Sequence, residues 1–256
     1  METLPLRGRR VVVTRPEAQS AGLCATLAAA GAVTMCWPLL AIVPESEAVL
    51  AALPAQLAAC DWAIFISPSA VDVAWTSIAG RLPERLQLAA VGRPTAQRLM
   101  ALSGRPVLFP ENGDDSRALL AEPALAQMAG LQCALVKGHG GRPELAETLR
   151  ARGAVVHALE CYSRQKPVLN WAIFDDFSRD GLDAVILTSR EAVDHLFSDA
   201  DALQRTTLQS TLFVVPHPRI AACLAGWGAG HILETRAGDG NLVSALAAWF
   251  VSTDER

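Results

Sequence analysis

Short, continuous apolar runs recur along the chain, at residues 11–13, 64–66, 88–91 and 107–109. Runs this short, without polar alternation, mark strands buried on both faces. Between them leucines recur four residues apart, as at Leu23/Leu27 and Leu145/Leu149, the spacing of one helical face. Pro16 and Pro143 suit first helical positions, and Gly31 and Gly153 suit helix stops. Strand alternating with helix predicts an α/β protein with parallel, doubly wound sheets.

The pattern is written twice. "VVVTRPEAQSAGLCATLAAAGAVTMCWPL", from Val11, resembles "CALVKGHGGRPELAETLRARGAVVHALECY", from Cys133. Gly153 follows Gly31 by 122 positions, and Leu145 and Leu149 follow Leu23 and Leu27 by the same interval. "DAVILTSREAV", from Asp183, follows "DWAIFISPSAV", from Asp61, again by 122. Further on, "AAVGRPTAQRL" pairs with "FVVPHPRIAACL", and "ENGDDSRALL" with "AGDGNLVSAL", with a small drift in the offset. A repeat of this length is a duplicated domain half rather than a solenoid unit. Two flavodoxin-like lobes of five strands are expected, connected by the Pro-flanked segments near 38–47 and 161–167. The single tyrosine, Tyr162, falls in the second connection, close to where a cleft between lobes is expected to open. An amphipathic residue packed on a lobe edge explains its position equally well.

Composition narrows the function classes. At 256 residues, 51% of them apolar, the chain can fill two full-sized cores. A net charge of −4 argues against nucleic acid or an anionic membrane as the main partner. No apolar run approaches the ~18 residues needed to span a bilayer. The N-terminus has no apolar signal core ahead of a small-residue cleavage site. The six cysteines show no metal-site spacing, and the five histidines are scattered. Reduced thiols in a cytoplasmic protein without a metal centre are the expectation.

In doubly wound sheets, ligands bind outside the carboxyl ends of the strands, at helix N-termini. The turns at those ends are "TRPE" with Thr14 and Arg15, "SPSA" with Ser67 and Ser69, and "VGRPTA" with Gly92 and Thr95. "KGHGGR" supplies Lys137, Gly138, Gly141 and Arg142, "TSREA" supplies Ser189, and "PHPR" supplies His217 and Arg219. "ENGDDS" and "AGDGN" complete the set. Free N–H groups at such turns bind carboxylates or phosphates, so many of them around one cleft suit a polyanion. Ser67, Thr95 and Ser189 are also good N-caps, and capping explains each alone about as well. "KGHGGR" lacks the full GxGxxG spacing of a dinucleotide turn. No Walker lysine turn, nucleophile elbow or Ser-His-Asp order is present in the sequence.

Taken in order, "VVVTRP", "DWAIFISPSAV", "LAAVGRPTAQRL", "GHGGRPELAETLRARGAVVHALECYSR" and "LDAVILTSREAV" resemble the uroporphyrinogen-III synthase family over essentially the whole chain. The resemblance implies two flavodoxin-like lobes with a two-strand connection, the first β-α-β unit joining the sheet made by the second half. Lobe A then comprises residues 1–38 and 167–256, lobe B residues 46–161, and the linkers 39–45 and 162–166. It implies a cofactor-free cyclisation of hydroxymethylbilane, a linear polycarboxylate tetrapyrrole, with the last ring inverted and water lost. The implied route runs through an azafulvene cation and a spiro intermediate, and the reactive groups are the substrate's own. Tyr162 matches the family tyrosine proposed to protonate the departing hydroxyl, and Thr95 matches a carboxylate contact. The chain departs from the family pattern at Pro216, His217 and Arg219 in the second "VGxxTA"-like turn, and at Lys137 where arginine is usual.

The sequence does not fix the oligomeric state; a monomer is the expectation, with neighbouring pathway enzymes as candidates for transient contact. Three rival readings stay open on sequence. One is a degenerate, non-catalytic homologue that binds linear tetrapyrroles or another polyanion. Another is a two-lobed anion-binding protein. The third is a pair of nucleotide-sugar-binding lobes.

Overall fold

The structure, a computed structural model, describes residues 4–254. Positions 1–3 and 255–256, which the expected lobe A includes, lie outside the described residues. The chain begins with β1 (Arg10–Val13), α1 (Glu17–Ala29), β2 (Val33–Cys36), β3 (Ala41–Pro44), α2 (Glu47–Ala58) and β4 (Trp62–Phe65). It continues with α3 (Pro68–Ile78), β5 (Gln87–Ala90), α4 (Arg93–Ser103), α5 (Ser116–Leu120), β6 (Gln132–Gly138), α6 (Glu144–Ala151) and β7 (Val155–Gln165). The last part holds α7 (Trp171–Ser178), β8 (Ala184–Ile186), α8 (Arg190–Asp199) and α9 (Ala202–Ser210). It ends with β9 (Leu212–Val215), α10 (Pro218–Gly226), β10 (His231–Glu234) and α11 (Asp239–Asp254).

These elements form two compact units. Unit 1 is Met1–Ala41 with Gln165–Arg256, and unit 2 is Ile42–Arg164. The sheet of unit 1 runs β10-β9-β8-β1-β2, with every neighbouring pair parallel. Numbered by their order within the unit, its strands lie 2-1-3-4-5, the flavodoxin-like order. The sheet of unit 2 runs β3-β7-β6-β4-β5, and β7-β6-β4-β5 are parallel throughout. By the 122-residue repeat, β7, β6 and β4 take the places of β2, β1 and β8. Segment 107–109, expected as a full strand, makes only a single bridge, Leu108 to Ala89. Segment 161–165 is the end of β7, whose neighbour in the sheet is β3.

The apolar runs are strands because both of their faces are covered. Val12, Val185, Phe213 and Val215 enter one core cluster of unit 1, while Val11, Val13, Ile186 and Val214 enter another on the opposite face. In unit 2, Ala63 and Phe65 face one cluster and Ile64 the other. A strand burying every side chain has no polar face to show, which is why these segments read as unbroken apolar runs.

Each sheet is assembled from both copies of the repeat. In unit 1, β1 and β2 come from the first copy and β8 to β10 from the second; in unit 2 the contributions are reversed. A repeated aspartate ties each seam. Asp183 accepts a hydrogen bond from the backbone N–H of Arg10 at 2.7 Å. Asp61 accepts one from Gln132 at 2.8 Å, and donors and acceptors alike are 122 residues apart. The expected helix stops are also repeated: Gly31 and Gly153 hold φ of 98° and 88°, in the left-handed region that favours glycine. A Cβ on Gly31 would stand 2.9 Å from the Cβ of Leu4, and one on Gly153 2.9 Å from the Cα of Ala129. Pro16 and Pro143 occupy the N-cap, one position earlier than expected. Among the described residues, no helix is long and apolar enough to cross a membrane.

Candidate active site

The carboxyl ends of β6, β7 and β4 in unit 2 bring Tyr162, Gly138 and Ser67 together. Lys137 pairs with Glu160 across the β6–β7 ladder, whereas the next residue, Gly138, pairs with Tyr162. Cys161 is therefore an extra residue, a bulge that interrupts the two-residue alternation of side chains. Cys161 and Tyr162, though consecutive, both enter the same core cluster. The His139 N–H closes the ladder by donating to the Tyr162 carbonyl at 2.9 Å. Burial pushes the Cys161 thiol up to about 12, so it stays protonated.

Tyr162 is 3% exposed, and its ring lies flat against Gly138. A Cβ at position 138 would come within 2.5 Å of Cζ of the ring, so only glycine lets the phenol occupy this place. Its hydroxyl is 3.0 Å from Oγ of Ser67. Ser67 is the N-cap of α3 and accepts the Ala70 N–H at 3.1 Å. A serine oxygen holding that amide bond can still donate its own proton to the phenol oxygen. In this arrangement the helix amide, the serine and the phenol form one chain. Its far end is the tyrosine O–H, whose proton this arrangement does not use within the chain, and each link polarises the next.

The remaining turn residues divide by what already holds them. Thr95, expected as a possible cap, lies in the first turn of α4, whose N-cap is Gly92. It is buried. Ser69 is buried in the first turn of α3. Lys137 pairs with Glu160 at 3.5 Å, and Gly141 and Arg142 lie in the exposed loop after β6. In unit 1, Thr14 is buried and donates its hydroxyl proton to the Ile186 carbonyl at 2.8 Å, a tie between β1 and β8. Arg15 forms an ion pair with Asp239 at 2.5 Å. Ser189 is the N-cap of α8 without a side-chain cap bond. His217 caps α10 through its ring, Nδ1 accepting the Arg219 N–H at 3.0 Å.

Sequence reasoning missed two contributors. Asp114, in "ENGDDS", accepts the Arg93 N–H at 2.8 Å and so occupies the head of α4. His139 follows Gly138 and places Nε2 2.9 Å from Glu45, with Nδ1 3.9 Å from Glu160. These three residues, His139, Glu45 and Glu160, line a cavity of about 440 Å³ floored by Val49, Leu53 and Leu159. The position of a histidine in a glycine turn directly after a strand was the available signal for the second. For the first there was only an acid-rich loop.

Comparison with known proteins gives this geometry a context. A family model described as "Uroporphyrinogen-III synthase HemD" matches residues 22–243. The uroporphyrinogen-III synthase of Salmonella typhimurium is 33% identical over 199 residues, which is 73% of this chain and 78% of that one. That of Proteus mirabilis is 33% identical over 158 residues, 60% of this chain and 79% of the other. Among solved structures, the synthetase of Helicobacter pylori superposes with a TM-score of 0.61 at 13% identity, over 96% of this chain and 99% of its own. A mutant synthase of Thermus thermophilus gives 0.59 at 19% identity, over 97% and 100%. At such identities the two structures speak for the fold.

Proposed function

Since the chain belongs to the uroporphyrinogen-III synthase family, we propose that it closes hydroxymethylbilane to uroporphyrinogen III, a step of heme biosynthesis, with loss of water and inversion of the last ring. The observation that carries the reading is the Tyr162–Ser67 pair at the head of α3. Losing the terminal hydroxyl needs a proton, and a phenol, ordinarily protonated at neutral pH, can give one. The azafulvene cation so formed is stabilised by the pyrrole itself. Attack at the substituted carbon of the last ring gives a spiro intermediate; fragmentation, recombination and proton loss then complete the macrocycle. The protein's main task is to hold the bilane in the folded conformer that favours this attack over direct closure, and positioning of this kind is worth about 7–11 kcal/mol.

Carboxylates of the substrate need donors rather than net positive charge. The Thr95 hydroxyl, in the first turn of α4, is the first candidate, and Arg142 in the exposed loop after β6 is the second. Ser189 and Arg219, at the heads of α8 and α10, are the corresponding candidates in unit 1.

The experiment supplies hydroxymethylbilane to the purified protein, oxidises the product and separates the isomers. Type III with the protein and type I without it is the expected result. Type I in both would leave a homologue that binds the bilane without turning it over.

A further inference from the structure

We propose that Cys24 and Cys36 form a reversible dithiol–disulfide site on unit 1, oxidised by a low-molecular-weight disulfide such as oxidised glutathione. Cys24 lies on α1 and Cys36 ends β2, and their sulfurs stand 2.7 Å apart. A covalent S–S bond is about 2.05 Å long, so closure asks for less than an ångström of movement. The two thiols are also differently placed. Cys36 is exposed, where a dissolved disulfide can reach it, and Cys24 is partly buried behind it. Burial first, and then the hydrogen bond to Cys36, push the Cys24 thiol up to about 12. It therefore keeps its proton until a partner sulfur becomes electrophilic.

The second copy of the repeat shows that packing does not require these thiols. Positions 146 and 158, each 122 residues on, are Ala146 and Ala158, in the same helix–strand pair of unit 2. The remaining cysteines are not so arranged: Cys60, Cys133 and Cys161 are buried. Cys223 has Asp194 as its side-chain partner, at 3.5 Å.

The chemistry balances by exchange. The Cys36 thiolate attacks one sulfur of the small disulfide and expels the other as a thiol, leaving a mixed disulfide on Cys36. Cys24 loses its proton, attacks Sγ of Cys36 and expels the second small thiol. The protein pair is oxidised by two electrons, the small disulfide is reduced by two, and both protons end on the released thiols.

Cyanogen bromide provides the test, because Met35 separates the two cysteines. The folded protein is treated with oxidised glutathione, quenched in acid, blocked with iodoacetamide and cleaved. The fragment ending at Met35 and the one beginning at Cys36 are expected to stay joined, and dithiothreitol should part them. In Cys24→Ser the fragments separate and the second carries glutathione on Cys36. In Cys36→Ser they separate without an adduct on Cys24. Full alkylation of both cysteines in the wild type overturns the proposal, as does joining that persists in Cys36→Ser.

Discussion

The hydroxyl of Tyr162 stands 3.0 Å from that of Ser67, which in turn holds the Ala70 amide at the head of α3. If the phenol supplies the proton for water loss, Tyr162→Phe removes the donor and little else. Turnover of hydroxymethylbilane should fall at least tenfold, with about 10²–10⁴ as the range for a general acid. Thermal unfolding should remain close to wild type. Unchanged turnover would remove Tyr162 from the chemistry.

Ser67→Ala tests the support behind the phenol. It removes the cap of α3, a loss of about 1 kcal/mol in unfolding free energy, and it also deprives Tyr162 of its hydrogen-bond partner. Turnover should decline, by less than in Tyr162→Phe. Ser67→Thr keeps both the cap and the hydroxyl and should restore most of each. An alanine variant that loses stability but keeps full turnover would reduce Ser67 to a cap.

Gly138 sets the place of the ring. With a Cβ, Gly138→Ala would press on Cζ at 2.5 Å, and both neighbours are fixed by the β6–β7 ladder. The variant should lose stability by about 1–3 kcal/mol, as overpacked cores do, and lose turnover as well. Kinetics indistinguishable from wild type would mean that the ring has room to move.

Alkaline pH should destabilise the protein through its buried thiols. Desolvation is the leading cause that pushes Cys133 and Cys161 from 9.0 to about 12. The folded state therefore holds protons that the unfolded state releases, and stability is full below pH 9.0 and declines toward pH 12. The slope is up to about 1.4 kcal/mol per pH unit for each thiol. Urea unfolding across this window should show the decline, and Cys133→Ala should flatten it by one thiol's share whatever its effect on absolute stability.

The seam aspartates should be matched in cost. Asp61→Ala and Asp183→Ala each leave a strand amide without its carboxylate, at about 1–3 kcal/mol apiece. Markedly unequal losses in urea unfolding would separate the two seams.

Much of the fold was legible because the repeat is carried by residues under strict backbone demands. Gly31 and Gly153 need positive φ, and Asp61 and Asp183 each serve a strand amide, so both pairs persist at one offset. Strands with both faces buried were legible for the same reason, since they tolerate no polar residue. The segment 107–109 misled because an apolar run also suits an edge that meets its neighbour at one bridge only. The bulge at Cys161 was invisible, as a register shift exists only relative to the partner strand. Cap identity was read one to three residues off at Pro16 and Thr95, because helix starts depend on local dihedrals that composition does not fix. Asp114 and His139 gained their roles from distant partners, Arg93 and Glu45, that no local pattern announces.

The reciprocal make-up of the two sheets also explains how the halves are tied. Each copy of the repeat carries a seam aspartate and the strand amide that the other copy's aspartate holds, so both seams join one copy to the other. In this chain neither sheet is complete without strands from both copies.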